Sequence, residues 1–580
     1  MKISSKCKTE IKPWLLLAPA LLPGLFVLGI GLIKALQSSL GWMPALGMTN
    51  VSLDAYISLF KESGIRFDFL YTLIFASISV TISLIMGSLI AWGLVSIRNK
   101  YIKYWGNAWL FVAVILPYGI AALATQSFLG QSGLLARIAA ALTLIQEPSQ
   151  FPVLLFTPFG LGLFWPYIWK GSAFTAMILR PYYEKVRNVY EAEARTLGAS
   201  GLTIWTSVYL PAGAGALGCT SSILFAYIVG GLEIPVWLGA LSPKIISADY
   251  YSLFLQPDIG RIPERMALVL IMALVGLIFS VGFGFAVYKV AKKGLGYRYF
   301  VRRLKTNHSK KNKKVINWFI MIYGLFMGIP FMWLLVTGQN PGLRFPFFIP
   351  GNNYIFMDFS SILKEPMLLQ VVNNSVIVAS LTGLYSAFAG LPAGRAFVKY
   401  KGFKGERLAQ VLCYIPLVIP GIVIVIGAQL STIILGFYGT KLAVVLCHLI
   451  FTIPYAVGIQ TIYQKQNGML HEEAARTLGA TPKQFVMKIL IPMSIPSLVM
   501  SFTLSFLISF TETFSTQLVG GGHVTTLAAL LGPVLEYGDM TRGSSYMILF
   551  TLINSAVFYI SYRMTRKMVI KSDHHSLEES

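Results

Sequence analysis

The sequence predicts an all-α integral membrane protein of about 12 transmembrane helices, arranged as two parallel six-helix repeats. Three observations carry that expectation. Of the 580 residues, 55% are hydrophobic and only 12% charged, too apolar a composition for a water-soluble globular chain. Apolar windows long enough to cross a bilayer recur along the whole length. One stretch is also written twice: residues 191–211, EAEARTLGASGLTIWTSVYLP, and residues 472–492, EEAARTLGATPKQFVMKILIP, share the letters ARTLGA.

A bilayer core takes about 20 mostly apolar residues per helix. Such windows fall at 13–36, 67–97, 105–129, 151–178, 212–239 and 266–289, then at 315–337, 367–394, 406–433, 441–464, 493–519 and 545–569. The halves match window for window, each with its repeated stretch between the fourth and fifth. An even number of spans per half gives both copies one orientation, so the repeats are parallel about an axis along the membrane normal. The expected division is a first repeat at 1–290, a basic linker at 291–314, a second repeat at 315–570 and a tail at 571–580. The run from Pro13 to Leu36 exceeds a secretory signal core and lacks a small-residue cleavage site, so it reads as the first span.

The net charge of +24 lies in short runs between apolar windows rather than along one stripe, which excludes a nucleic-acid face and reads as topology. Lys2 to Lys12, Arg98 to Lys103, Arg180 to Arg195, Arg395 to Arg407 and Arg563 to Lys571 fall on one side if the N-terminus is inside. That places both termini, the linker and both repeated loops in the cytoplasm. The basic linker also suits anionic lipid headgroups. Cys7, Cys219, Cys413 and Cys447 are scattered without ligand spacing and read as packing residues, with neither disulfide nor metal.

Within the repeated stretches, Glu191 stands four residues before Arg195 and Glu472 four before Arg476, the favourable order for a helix-surface ion pair. Ala between them favours helix, and Gly198 and Gly479 are expected to end it with positive φ. Thr481, Pro482 and Gln484 then form an N-cap, first-turn proline and capping box that open a new helix. Ser200 and Gly201 do so more weakly in the first copy. The expected product is a short polar helix-turn-helix whose second helix stops at Pro211 or Pro492.

This pattern resembles the EAA signature of permease subunits of bacterial ABC importers: Glu-Ala-Ala, three residues, Gly, and a later Pro. Glu473, Ala474, Ala475, Arg476 and Gly479 match it position for position, with Glu472 just before. The first copy, Glu191, Glu193, Ala194, Arg195 and Gly198, departs from it in having Ala192 where Glu473 stands. The resemblance implies a fused, two-domain permease with the type I importer transmembrane fold, similar to the ferric iron, thiamine, polyamine and sulfate group. It implies a chain in the bacterial inner membrane that docks a homodimeric cytoplasmic ATPase through both loops. A periplasmic or lipid-anchored binding protein would deliver the solute. ATP and Mg would be bound by the partner, and this chain would hold no cofactor.

Charges inside spans are costly, so they are functional candidates by default. Glu233, in GGLEIP, and Glu512, in SFTET, sit at similar intervals after the two repeated loops, allowing a two-residue slip. The glycines and proline around Glu233 suggest a broken helix facing a cavity. Both acids read either as bordering a substrate pathway or as structural carboxyls bonded to neighbouring Thr and backbone; they lean only faintly toward a cationic solute. Asn373, Asn374, Gln429 and Gln460 suit interhelical contacts, and His448 and His523 show no ligand pattern. A Walker A loop needs Gly-Lys, a dipeptide this chain lacks, and no catalytic or metal constellation stands out, so the chain is not expected to be an enzyme. A 12-span secondary transporter of the major facilitator type is the alternative. The loop after the second window, IRNKYIKYW, lacks that family's Gly- and Arg-rich motif, and the duplicated loops would go unexplained.

Overall fold

In hydrocarbon every backbone N–H and C=O must be satisfied within its own segment, so long runs of Leu, Ile, Val and Ala have helix as their outlet. The computed structural model describes residues 5–97, 99–158, 160–294, 311–340, 343–349 and 365–578. The helices of the first half are α1 (Ile11–Ser39), α2 (Ser63–Ser96), α3 (Lys100–Ile115 and Tyr118–Ala141), α4 (Leu161–Val186), α5 (Gly201–Ala212 and Ala214–Gly230) and α6 (Ile259–Lys293). Those of the second are α7 (Asn317–Gly338), α8 (Leu368–Lys399), α9 (Glu406–Leu417 and Gly421–Ile434), α10 (Lys441–Thr477), α11 (Pro482–Phe510) and α12 (Met540–Glu578). Among the described residues, 8 helices are long and apolar enough to cross a membrane, or 11 if each bent pair counts once. The remaining expected window falls on α4, which Trp, Tyr and Lys170 make less apolar.

Several windows are corrected at their edges. Residues 151–158 are irregular, because Pro152, Pro158 and a left-handed Gly160 (φ +60°) delay α4 to Leu161. Helix α3 bends by 113° before Tyr118, after Pro117, and α9 by 100° before Gly421, after Pro420. The window 212–239 ends as helix at Gly230 and resumes as Glu233–Leu238. Likewise 493–519 ends at Phe510 and resumes as Phe514–Gly520. Most of the expected basic linker, residues 295–310, lies outside the described residues.

The two halves repeat one packing scheme. In the first, α4 and α5 pack on α2 and α6 packs on α5; in the second, α10 and α11 pack on α8 and α12 on α11. The first helix of each half crosses to the other half, α1 onto α8 and α9, and α7 onto α3. Glycine permits the first crossing: a Cβ at Gly31 would sit 1.8 Å from the Gly427 carbonyl oxygen. Polar side chains tie the halves further. Ser172 and Tyr323 hydroxyls meet at 2.7 Å, and the Asn554 amide donates to the Ile115 carbonyl at 2.7 Å. Gln460 bonds Ser497 and Ser501, Asn374 donates to the Thr525 carbonyl and Gln429 to the Leu518 carbonyl, while Asn373 is exposed.

Candidate functional site

The repeated loops are extensions of the fourth helices. Helix α10 runs 37 residues without interruption to Thr477, and α4 continues through a π-helical turn, Arg187–Glu191, into Ala192–Thr196. The expected separate first helix is therefore corrected: nothing breaks the hydrogen-bond ladder between span and loop. Gly198 (φ +80°) and Gly479 (φ +79°) end it in the left-handed conformation. Thr481 and Gln484 form the reciprocal capping box, and Ser200 accepts from the Thr203 amide.

The second helix of each loop then differs from expectation. In both copies it passes through a π turn at equivalent positions, Trp205–Tyr209 and Val486–Leu490. In the second copy it runs straight through Pro492 into α11, directly after the π turn. In the first copy the helix stops after Ala212, with a 75° bend.

Each loop turns one acid inward. Glu191 (9% exposed) accepts from Arg195 Nε at 2.9 Å and from the Tyr209 hydroxyl at 2.7 Å. Glu472 (5% exposed) pairs with Arg476 at 2.7 Å and also with Arg395 and Lys399 at the end of α8. Arg395 in turn lies over the Phe485 ring, 4.9 Å from its centroid. Burial alone would raise the Glu472 carboxyl, but the Lys399 hydrogen bond and the Arg395, Lys399 and Arg476 charges outweigh it and hold it below the usual carboxylate range. Ala194 and Ala475 are buried beside these acids. Facing outward are Glu193, Glu473, Ala474, Arg195, Arg476 and two equivalent leucines, Leu197 (60% exposed) and Leu478 (87%). The sequence signals the Glu–Arg pairs by their spacing. Arg395, Lys399 and Tyr209 come from distant elements and carry no local signal.

The acids of the fifth helices occupy matching breaks. Glu233 opens the short helix after Gly231 and Leu232, and Glu512 lies in the gap between Phe510 and Phe514. They come to one junction across the halves, where Glu233 lies beside Thr513 and within electrostatic reach of Glu512 and Lys170. Glu512 Oε2 accepts from the Ser515 hydroxyl at 2.9 Å, and Ser515 meets His448 Nε2 at 3.1 Å, with Ser509 on Nδ1 at 2.8 Å. His448 thus belongs to this network although no spacing marks it. Lys170 is legible by the rule that marks the acids, a lone charge in an apolar window, yet the reading of the acids passes over it. Its Nζ donates to the Leu116 carbonyl at 2.7 Å and lies 4.2 Å from the Tyr118 ring centroid. Tyr118 stacks on Tyr227 at 4.8 Å, and Trp237 stacks across the halves on Phe514 at 5.5 Å.

Residues 379–569, from α8 into α12, match the family described as binding-protein-dependent transport system inner membrane component. That match lies in the second half of the chain and covers less than half of its length. The chain is also similar to the molybdate/tungstate transport system permease protein WtpB of Pyrococcus abyssi (strain GE5 / Orsay), with 27% identity over 146 residues. That alignment covers 24% of this chain and 56% of the relative, so the chain spans little more than half the length of the protein it matches.

Proposed function

We propose that this chain is a fused two-domain permease of an ATP-driven importer. Its repeats are residues 1–290 and 315–570, joined by a cytoplasmic basic linker. Its coupling residues are Glu191, Glu193, Ala194, Arg195 and Gly198 in one loop and Glu472, Glu473, Ala474, Ala475, Arg476 and Gly479 in the other. A homodimeric cytoplasmic ATPase, which binds ATP and Mg, docks on both, and a periplasmic or lipid-anchored protein delivers the solute. The single observation that carries this reading is the geometric equivalence of the loops: buried Glu, left-handed Gly, exposed Leu and π turn recur at the same positions.

The roles follow from that geometry. The inward acid fixes each loop to its own helices, so a push on the loop moves the fourth helix as a lever. The outward Leu197 and Leu478, ringed by Glu and Arg, are apolar knobs of the kind that anchor an interface. Closure of the ATPase dimer draws the loops together and rotates the fourth and fifth helices of both halves, opening the space around Glu233 and Glu512 to the outside. Transport is the function and hydrolysis belongs to the partner.

The test is site-directed cross-linking. Cysteine at position 197 or 478 should form a cross-link to the co-expressed ATPase, more strongly for 478, whereas cysteine at Leu241, an exposed residue expected on the opposite face, should not. Absence of cross-links at both loop positions in an assembled membrane fraction would remove the coupling assignment.

A further inference from the structure

Lys170, Glu233 and Glu512 lie within electrostatic reach of one another at the breaks of the two fifth helices, where Trp237 stacks on Phe514 across the halves. The Tyr167 hydroxyl is enclosed there without a hydrogen-bond partner among the described residues, and the Thr513 hydroxyl lies beside the Glu233 carboxyl, whose Oε2 makes no well-aligned bond. Thr513 is 0% and Tyr167 2% exposed, so water does not reach them from bulk. Thr513 and Tyr167 both neighbour Glu233. Leaving such groups unpaired is expensive, and a native site that does so is usually completed by something else.

What completes it is set by charge and by aromatic faces. Two carboxylates face one ammonium, and that ammonium is already engaged with the Leu116 carbonyl and the Tyr118 ring. An oxyanion would meet two like charges with no free cation to offset them. A small, highly charged metal ion asks for several oxygen or nitrogen ligands, and among the described residues no group of three or more His, Cys, Asp or Glu is placed to hold one. An alkylated ammonium or similar organic cation needs instead a carboxylate and an aromatic face. Both are present, and the Tyr118 face is carrying such a cation now, the chain's own Lys170.

We propose that this junction is an organic-cation site, with Lys170 a tethered stand-in that a passing solute displaces. The proposal rests on the permease reading and narrows it. When a cationic solute arrives, it takes the Glu233 and Glu512 carboxylates and the aromatic face, and Lys170 swings off; when the solute leaves, Lys170 returns and closes the junction. The carboxylates come from different halves, so occupancy also joins the halves.

The test uses the full chain in lipid nanodiscs without ATPase, with radiolabelled tetramethylammonium as probe and molybdate and magnesium as competitors. Saturable binding is expected, displaced by other organic amines and by neither competitor. Lys170→Met, which keeps the stem and removes the rival ammonium, should bind several-fold tighter, while Glu233→Gln and Glu512→Gln should each bind about tenfold weaker or worse, as loss of a charge contact at a half-buried site implies. Glu512→Asp should retain most binding and checks that loss is not misfolding. A purely structural cluster would show no saturable binding in the wild-type chain or in any of these variants. That result, displacement by molybdate, or no saturable binding by Lys170→Met would overturn the proposal. ATPase pull-down on the same preparations separates the two readings: failure of cation binding with docking intact sinks only the solute class, and failure of docking sinks the permease reading.

Discussion

Glu191 and Glu472 occupy the same place in the repeat and are held very differently. Arg195, the ion-pair partner of Glu191, is 45% exposed at its side chain, so solvent screens the pair, which is worth about 1 kcal/mol or less. The Tyr209 hydrogen bond adds about 1 kcal/mol. Glu472 neutralises Arg395, only 10% exposed, and Lys399, and leaving such charges without a partner costs about 3–5 kcal/mol. Glu472→Ala should therefore release the second loop from α8, seen as faster proteolysis at 472–482, whereas Glu191→Ala should leave the first loop nearly as protected. The pH sense follows from the same carboxyl. Its folded pKa is depressed, so the clamp contributes fully above the usual carboxylate value and is lost as pH falls through the lower folded value. Hydrogen-exchange protection factors in the second loop, which divide out the intrinsic base catalysis, should hold at neutral pH and fall in acid below that usual value; unchanged protection through that acid range would contradict the clamp.

Each repeated loop places a left-handed glycine, Gly198 or Gly479, at the end of a long helical stretch. A β-branched residue at Gly479, with φ +79° and open space around its Cβ position, meets backbone strain of about 1–2 kcal/mol and no steric clash. Gly479→Val and Gly198→Val should thus insert normally and keep basal ATP hydrolysis in the complex, yet lose stimulation by the loaded binding protein and lose uptake. Paired uptake and stimulated-ATPase assays check this, and normal transport in both variants would remove the lever mechanism. Much of this element is legible in sequence, because i to i+4 pairs, terminal glycines and the Thr481 capping box act over a few residues. Its continuity with α10 and α11 is not legible. A glycine and a proline read locally as stops, but α11 runs on through Pro492 directly after its π turn, and α10 stays helical through Asn467-Gly468, a pair that reads locally as a turn. The breaks before Glu233 and after Phe510 divide the same way: GGLEIP announces the first, while SFTET announces nothing.

At the scale of the molecule the apolar windows give the helices, but not the exchange of α1 and α7 between halves, which depends on close approach of residues hundreds apart in sequence. Gly31 against Gly427 is such a point. Gly31→Leu meets backbone that cannot yield, and should lower the detergent melting midpoint and loosen α1 from α9, at a cost of about 1–3 kcal/mol or more. The lysine and arginine runs are the ground for proposing that both termini and both loops lie inside. Cysteine labelling at Thr196→Cys and Thr477→Cys should therefore fail from outside intact cells and succeed after permeabilisation; labelling from outside would overturn the orientation. The proposed docking on both loops implies an assembly in which one permease carries two ATPase subunits and hydrolyses no ATP alone. Native mass spectrometry of the purified complex tests this most directly. The account predicts a mass of one permease plus two ATPase copies, and a complex holding a single ATPase copy would contradict it.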